Sequence, residues 1–548
     1  MPVLLHQSFN LPPSDAYQTW FSVTGVDVSL DAQSKLPRLA ERLESAFMEA
    51  RETWWTIGLE LSREPTAEIA HMPTGGAFGS DFGVMLAWSL ITAVEAKNKN
   101  ACLVLCDDPW LFRHLADVPG VTSGATPRLW LPELKLSIRG WLARIKTALK
   151  MNMWAGRRLK ATKLGSSAIL VYGHPRSTAD GFDAYFGSLM LQEPELQRIL
   201  HTDCNAARAK ALSKNGRTYS LHSWGHGLFA LRLIWAKWRP GKNFTQGKYG
   251  WLVRRSAAKE NSGGGPAMNC WQQHCQENWL KEAKPSRVCW PWENHGWERD
   301  LCRAGRKHGV RTLGYQHTVV GPHQINYSTR TNPDGLDSIP DMIICDGPAY
   351  LEEVANWGVP DDRLIVGGAF RFKRFSPGSH DPNGPVFVPL SAVPAAARKQ
   401  IEAAEILAAD NHKVLVKEHP MYPLDFSEVK NMTRVETSLV EQEGLSAVLY
   451  CTGTSGLEAV LMGLPAYRLM LEDRIAIDIL PAGANTPCVT LEDVAEQVTG
   501  KVPPMAVNWD SVLAEPDINL WHSLLFGDMH AINDIQEPEN KLEKKKAL

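Results

Sequence analysis

The chain contains 548 residues, more than a single hydrophobic core usually holds, so two or three domains are expected. Hydrophobic residues make up 44% of the chain and charged residues 22%, which are ordinary values for a soluble globular protein. The longest apolar run, residues 82–94, has 13 residues and is too short to cross a bilayer.

The net charge of −2 hides an uneven distribution of charge. Residues 135–163 contain nine basic residues and no acidic one, and residues 205–259 contain twelve more, again without an acid. Several tryptophans lie in these stretches, and basic helices with tryptophan favour anionic membrane surfaces. The alternative is that the charges lie on solvated helix faces and the tryptophans in the core. A nucleic-acid partner is not expected because no base-reading motif accompanies the charge.

The ten cysteines lack the paired short spacings of zinc sites, which predicts buried free thiols. The first residues have neither a charged segment nor a cleavable apolar core, so no signal peptide is expected. A reduced, cytoplasmic protein follows, with peripheral attachment to the inner membrane as a further expectation from the basic stretches.

The predicted elements of the front half alternate between helices and short buried strands. In chain order, hydrophobic spacing predicts a helix over 36–60, a helix over 82–96, and strands over 101–106, 167–172, 286–290 and 311–315, with a helix over 299–308 before the last strand. Two basic insertions interrupt this order, a helical one at about 125–165 and an aromatic-rich one at about 205–258.

The back half alternates more regularly. Strands are predicted over 342–345, 364–366, 414–416 and 447–450, with helices over 348–357 and 394–409 and a further helix ending near 463. The fold class predicted from this order is α/β, with two Rossmann-like domains facing a cleft and basic helical insertions in the first. The predicted domains are 1–330 and 331–520, followed by a partly disordered helix or tail at 521–548.

A small-residue turn after the strand at 447–450 is the most informative motif. One crossover connection earlier in the chain, another strand ends in Lys417-Glu418-His419-Pro420. Backbone N–H groups and hydroxyls at such a turn attract a phosphate, so both loops are expected to form a nucleotide site at one sheet edge. The candidate nucleotide-binding residues are Lys417, His419, Pro420, Thr452, Gly453, Thr454, Ser455 and Glu458. Alternatively, His419 only caps its strand, Lys417 is solvated, and Glu458 complements the helix dipole rather than a ribose hydroxyl.

A second motif is the run from Trp290 to Arg299, which contains Glu293, Asn294 and Glu298 between a strand and a helix. A carboxylate among tryptophans is expected to be desolvated, which would raise the pKa of Glu293 towards the range of a general base. The alternative is that Glu293 only caps the helix from outside and that Glu298 pairs with Arg299 or a neighbour, which makes Glu298 the weaker catalytic candidate.

The third motif is a strand that ends in Gln316-His317. His317 is a candidate for orienting the donor phosphate or the acceptor hydroxyl, and the alternative is an ordinary hydrogen-bonded histidine. Asn294, Gln316 and Asp346, the last at the end of the strand over 342–345, are predicted to face the cleft and the acceptor.

The run W-E-N-H-G-W-E at 292–298, followed by G-Y-Q-H at 314–317, resembles bacterial surface-carbohydrate (O-antigen or capsule) biosynthesis proteins of the GT-B glycosyltransferase type. His419-Pro420 with Thr454-Ser455 is similar to the motifs of B-type transferases that use CMP-sialic acid or CMP-Kdo. The resemblance implies that His419, Thr454 and Ser455 hold the nucleotide and that Glu293 deprotonates the acceptor. The chain lacks the acidic-acidic-glycine base motif of sialyltransferases.

The predicted function is therefore a metal-independent glycosyltransferase that moves a sugar from a nucleotide donor to a surface-polysaccharide or lipid-linked acceptor. No cofactor is expected, since the nucleotide sugar is a substrate, and no D-x-D element indicates a metal. The alternatives are a polyol-phosphate transferase of the CDP-glycerol kind, a sugar-nucleotide epimerase, and a catalytically silent glycan- or lipid-binding module.

Overall fold

A computed structural model describes residues 3–26, 28–76, 79–156, 167–420, 422–498 and 507–527. The end of the first predicted insertion and the predicted tail from residue 528 lie outside this part of the chain. None of the helices in the described part is long and apolar enough to span a bilayer.

The first sheet is a parallel four-stranded sheet near the N-terminus, with strand order β2-β3-β1-β4. Its strands are β1 (Val3–His6), β2 (Thr19–Ser22), β3 (Cys102–Leu105) and β4 (Val121–Ser123). Only β3 is predicted from the sequence, because it lies in a continuous apolar run at 101–106, whereas the other strands show no clear periodicity.

The second sheet is parallel and seven-stranded, with order β11-β10-β9-β8-β5-β6-β7. Its strands are β5 (Ala168–Val171), β6 (Gln197–Leu200), β7 (Thr218–Ser220), β8 (Arg287–Pro291), β9 (Arg311–Gln316), β10 (Met342–Cys345) and β11 (Leu364–Val366). Because β7 pairs with β6 at the edge of this sheet, the second predicted insertion is partly a sheet element.

The third sheet is parallel and six-stranded, with order β14-β13-β12-β15-β16-β17. Its strands are β12 (Val386–Pro389), β13 (Val414–Lys417), β14 (Met432–Val435), β15 (Ala447–Tyr450), β16 (Ala466–Leu469) and β17 (Cys488–Val489). The central strands of this sheet and of the second sheet are almost wholly buried, as expected where helices cover both faces of a parallel sheet.

Helices occupy the connections between the strands. In chain order they are α1 (Leu39–Ser62), α2 (Phe82–Glu95), α3 (Pro109–Ala116), α4 (Trp130–Trp154), α5 (Leu189–Gln192), α6 (Ala206–Leu212), α7 (Gly227–Arg232), α8 (Lys242–Gln246), α9 (Gly250–Glu260), α10 (Gly265–Ala283), α11 (Gly296–His308), α12 (Pro348–Asn356), α13 (Pro394–Ala409), α14 (Ser455–Leu461), α15 (Val494–Gln497), α16 (Trp509–Val512) and α17 (Ile518–Phe526). The amphipathic pattern that predicts α1 is confirmed, since Leu39, Leu43 and Phe47 are buried.

The predicted α/β class is confirmed, and the second and third sheets form its two Rossmann-like units. The predicted boundary near residue 330 differs from the strand pairing, since β10 pairs with β9 and β11 pairs with β10. The change of sheet therefore falls between residues 366 and 386. The connection from β9 to β10 contains only short 3-10 turns. Its sequence therefore lacks helical periodicity, and this is why it resembles a crossing between domains.

Side chains tie both ends of the chain to the Rossmann-like units. The guanidinium of Arg468 on β16 forms a bidentate ion pair with Glu44 of α1, at 2.8 and 2.7 Å, and both side chains are buried. The C-terminal helix α17 returns to the second sheet, where the indole of Trp521 donates to the Gly367 carbonyl at 2.9 Å and packs edge-on against Tyr315. Helix α1 thus contacts the unit of the third sheet, and α17 packs on the unit of the second sheet.

Candidate functional site

The two loops of the predicted nucleotide site meet at the carboxyl edge of the third sheet. Strands β13 and β15 both pair with the central strand β12, so the loops that follow them open on the same side. They line a cavity of about 310 Å³. Its walls are formed by Phe387, Pro389, Leu390, Ala392, Val393, Lys417, Glu418, His419, Pro420, Ser438, Leu439, Thr452, Gly453, Thr454, Ser455 and Glu458. All eight predicted nucleotide-binding residues are among them.

The turn 452–455 offers several hydroxyl groups to this cavity. The hydroxyls of Thr452 and Ser391 lie 3.0 Å apart, and the Thr454 hydroxyl donates to Glu458 at 3.3 Å. Gly453 has a φ of +123°, a conformation that favours glycine, and Gly456 packs so closely on the ring of Tyr450 that a Cβ would lie 2.5 Å from it. The two glycines allow the loop to turn sharply beside the cavity.

The charges around the cavity are modest. Burial lowers the pKa of His419, whose ring stacks on Tyr422 with a centroid distance of 5.5 Å, so the imidazole is neutral near pH 7. Burial raises the pKa of Glu458, opposed by the Thr454 hydroxyl and by the charge of Arg371. Lys417 lines the cavity but its ammonium group donates to the Glu436 carbonyl. Because α14 has only seven residues, hydroxyls and His419 matter more here than a helix dipole.

A second cluster of polar residues lies at the carboxyl edge of the second sheet, after β8 and β9. Glu293 is its centre: one carboxylate oxygen lies 2.8 Å from Nε2 of His295, and the other lies 3.9 Å from Nε2 of His317. The ring of His71, which precedes α2, lies 4.7 Å from the ring of His295. The Glu293 side chain is 36% exposed, whereas His295 and His317 are largely buried.

The prediction that Glu293 has a raised pKa is wrong. Burial alone would raise it, but the hydrogen bond from His295 and the charges of His295, His317 and His71 outweigh burial and lower the pKa to about 2. The interaction also acts on the histidine: Glu293 raises the pKa of His295, although the burial of His295 would lower it. Burial lowers the pKa of His317 to about 4. Near pH 7 the cluster therefore contains a carboxylate beside a neutral His317.

Glu298 lies beneath this cluster and is buried. One of its carboxylate oxygens accepts hydrogen bonds from the backbone N–H groups of Glu293 and Asn294, at 2.9 and 3.0 Å, and from the Trp290 indole at 3.2 Å. Burial raises the pKa of Glu298 to about 7. Its contacts are those of a group that positions the backbone of Glu293, and its hydrogen bonds differ from the expected pairing with Arg299, whose guanidinium bonds to Asn294 and Thr331 instead.

The three residues predicted to face the acceptor are fully buried: Asn294, Gln316 and Asp346. Asn294 adopts a φ of +60° and its amide donates to the carbonyls of Asn326 and Ser328. The Gln316 side chain accepts from the backbone N–H of Asp346 at 2.9 Å. Burial raises the pKa of Asp346 to about 8. The Asn294 and Gln316 side chains hold neighbouring backbone in place, and none of the three side chains reaches solvent.

Arg371 is a functional candidate that the sequence analysis missed. It follows the Gly367-Gly368 turn after β11 and is exposed, and its guanidinium donates to the His317 carbonyl at 3.4 Å. Its charge acts on groups of both clusters, including His317 and Glu458. Arg371 therefore lies between the two sheet edges. An arginine in the segment that joins two Rossmann-like units is the signal that would have identified it.

Aromatic side chains complete the second cluster. The ring of Tyr185 packs edge-on against His317, with a centroid distance of 5.1 Å, and also against His174 at 5.9 Å. Partly exposed aromatic faces of this kind can stack on a sugar ring. In the described part of the chain, no group of three or more His, Cys, Asp or Glu side chains is arranged to hold a metal ion.

No protein-family model matches the chain, and no curated protein matches its sequence. Solved structures similar to it include "the Glycotransferase of kitacinnamycin" (TM-score 0.36, 12% identity, covering 68% of this chain and 99% of that one) and MurG of Acinetobacter baumannii (0.36, 12%, 66% and 99%). Another is the UDP-N-acetylglucosamine 2-epimerase of Rickettsia bellii (0.31, 11%, 56% and 79%). Because these TM-scores are below 0.5, the similarities are too weak to assign a fold or a function. The α/β class follows from the chain's own strand pairing.

Proposed function

We propose that this chain is a glycosyltransferase that moves a sugar from a nucleotide donor to a hydroxyl acceptor. The observation that carries the proposal is the convergence of His419 with the hydroxyl-rich turn 452–455 around one cavity. A cavity with neutral hydrogen-bond donors and a nearby cation suits a phosphate that gains negative charge as its sugar leaves. Lys417 lines the cavity, and Arg371, whose charge acts on Glu458, is a second candidate for that cation.

The donor phosphate would bind to the hydroxyls of Thr454 and Ser455 and to the imidazole of His419. A bound phosphate would raise the pKa of His419 from its lowered value, because the opposite charge favours the imidazolium. His419 would then donate a proton or a hydrogen bond to the leaving phosphate. The donor is proposed to be a CMP-activated sugar of the nonulosonic-acid or Kdo type, and the acceptor a surface-polysaccharide or lipid-linked glycan.

The acceptor hydroxyl would bind to Glu293, the most exposed carboxylate of the second cluster. A carboxylate with a low pKa is a weak base, but a hydroxyl that is already bonding to an oxocarbenium-like carbon becomes strongly acidic. Glu293 would therefore take the proton late in the reaction, and His295 would hold the carboxylate in place. No metal is needed in this scheme.

Purified full-length protein would be incubated with CMP-, UDP- and GDP-sugars, with and without glycan acceptors and with EDTA. We expect nucleotide release that requires an acceptor and that survives EDTA. Release of free sugar and nucleotide without an acceptor would favour an epimerase or a hydrolase, release from CDP-glycerol would favour a polyol-phosphate transferase, and binding without turnover would favour a silent module.

A thermal-shift measurement with CMP tests the nucleotide half separately. Saturating CMP should raise the unfolding temperature of the wild type, as any ligand that binds only the folded state does. His419→Ala should lose most of this shift. The matched control is His412→Ala, a partly exposed histidine of the same domain that does not line the cavity. Equal CMP shifts in the wild type and His419→Ala would contradict the proposed nucleotide site.

A further inference from the structure

Helix α4 carries a row of large apolar side chains that face solvent. We call this row, with the side chains beside it on α7 and the turn that follows, the α4 face. Its members on α4 are 49–58% exposed: Leu131, Leu134, Ile138, Trp141, Leu142, Leu149 and Met153. Leu228, Leu231 and Trp235 extend it, with exposures of 84%, 45% and 66%. Contiguous exposed apolar groups of this extent mark a binding surface rather than scattered surface residues.

The orientation of α4 is determined by its opposite side, which is packed against the protein. Gly140, Arg144, Ala148 and Met151 are buried on that side. The Arg144 guanidinium donates to the carbonyls of Ile234 and Asn261, at 3.1 and 3.0 Å. A Cβ at Gly140 would lie only 1.7 Å from the Asn261 carbonyl oxygen. Because these contacts leave little room for rotation, the apolar row faces outward in the folded protein.

Basic side chains border the apolar row along one edge of the helix. Lys135, Arg139, Lys146 and Lys150 follow one another at helical spacing and are exposed. Within the described residues no acidic side chain forms an ion pair with any of the four, and the ammonium group of Lys150 lies 4.3 Å from the ring of Trp154. The one acid of α4, Glu133, is paired with Arg254 at 2.7 Å. The edge is therefore free to meet external negative charge.

We propose that the α4 face docks on an anionic lipid surface. Apolar side chains at helical spacing would enter the acyl boundary while the lysines and arginines meet the headgroups, which is the arrangement of interfacial helices. A second copy of the chain fits less well, because two faces bordered by basic groups would repel one another. This proposal does not depend on the transfer reaction, although it would bring the cavity near a lipid-linked acceptor.

Co-sedimentation of the full-length chain with vesicles tests the proposal. We expect it to bind vesicles of phosphatidylcholine with 30 mol% phosphatidylglycerol at 0.1 M NaCl, and to bind pure phosphatidylcholine at least tenfold more weakly. Since each basic residue near an anionic surface contributes about fivefold in affinity, Lys146→Gln with Lys150→Gln should weaken binding about 25-fold. Trp141→Ser with Leu142→Ser should weaken it at least about tenfold through lost apolar burial.

The matched control is Val94→Ser, which removes a side chain of 55% exposure from α2, outside the α4 face. It should leave vesicle binding unchanged, and all variants should unfold near the wild-type temperature because the replaced groups are exposed. Absence of binding to the anionic vesicles, or equal binding by wild type and both double variants, would overturn the proposal. So would a concentration-dependent dimer that the same variants abolish without any vesicle binding, because a second copy would then occupy the face.

Discussion

The two clusters differ in how firmly their side chains are held, although both lie at the carboxyl edge of a parallel sheet. Around the cavity of the third sheet, Thr452, Thr454 and His419 are partly exposed and make few contacts with one another. Around Glu293, by contrast, His295 contacts the carboxylate directly, and the buried Glu298 accepts hydrogen bonds from the backbone N–H groups of Glu293 and Asn294. The first arrangement suits a ligand that brings its own charge, and the second suits a group whose charge must already be in position.

The pKa shifts follow the same difference. At the cavity the shifts come mainly from burial, whereas the pKa of Glu293 is lowered to about 2 by specific partners against the effect of burial. The Glu293 carboxylate of the second cluster is therefore ionised at neutral pH. Substitutions in the two clusters can test this distinction between an adaptable nucleotide side and a rigid acid–base side.

The largest effect is expected from Glu293→Gln, which keeps the shape of the side chain but removes its charge. Transfer should fall by about 10²–10⁴-fold in kcat, the usual contribution of a positioned acid–base group. Because the pKa of Glu293 is about 2, it stays ionised down to low pH, so protonation of Glu293 should not limit the wild-type rate between pH 5 and 8. The measurement is kcat against pH, with CMP affinity as the control that should not change.

A loss of activity between pH 7 and 5 that Glu293→Gln removes would contradict the low pKa. Equal kcat in the wild type and the variant would instead show that another residue accepts the acceptor proton. His295→Ala separates these outcomes further, because loss of its hydrogen bond should raise the pKa of Glu293 and produce an acid limb that the wild type lacks.

The second prediction concerns Glu298, whose carboxylate accepts three N–H donors beneath Glu293. Glu298→Ala leaves these donors unpaired, and a buried unpaired group costs about 1–3 kcal/mol, so the free energy of unfolding should fall by roughly 3 kcal/mol. Glu298→Gln keeps an acceptor oxygen and should lose clearly less. Denaturant unfolding of both variants measures the difference, and equal losses would show that the acceptor oxygen does not matter.

Much of this architecture could be predicted, and the exceptions have physical causes. Strands such as β13 and β15 are apolar runs followed by small or polar residues, so the meeting of their loops follows from the geometry of parallel sheets. The charge state of Glu293 could not be predicted, because His71 comes from a distant part of the chain and His295 acts through an orientation that no pattern encodes. The burial of Asp346 could not be predicted either, because residues 512–514, far along the chain, pack beside it: the Ala514 N–H donates to the Asp346 carbonyl, and Leu513 lies against Gly347.

The third prediction concerns Asp346, whose side chain is fully buried. The pKa of Asp346 is raised to about 8 in the folded chain from an ordinary value of 3.8, so the folded chain holds a proton that the unfolded chain releases. Stability should therefore fall as the pH rises from about 4 to about 8, by several kcal/mol, since each unit of pKa shift corresponds to about 1.4 kcal/mol. Asp346→Asn should remove this part of the pH dependence. Parallel slopes for the wild type and the variant in denaturant unfolding at pH 5 and 8 would contradict the raised pKa.

The smallest effect is expected at Arg371, which lies between the two clusters. Its guanidinium is exposed and makes one long hydrogen bond, to the His317 carbonyl, so its removal should hardly change stability. If it meets the donor phosphate, Arg371→Ala should weaken nucleotide-sugar affinity about tenfold, the value of a charge-assisted hydrogen bond to an exposed partner. The matched control is Lys373→Ala, an exposed cation two residues away. The charge of Arg371 acts on His317 as well as on Glu458. A change in kcat without a change in affinity would therefore assign Arg371 to the rigid acid–base side. A change in affinity alone would assign it to the nucleotide side.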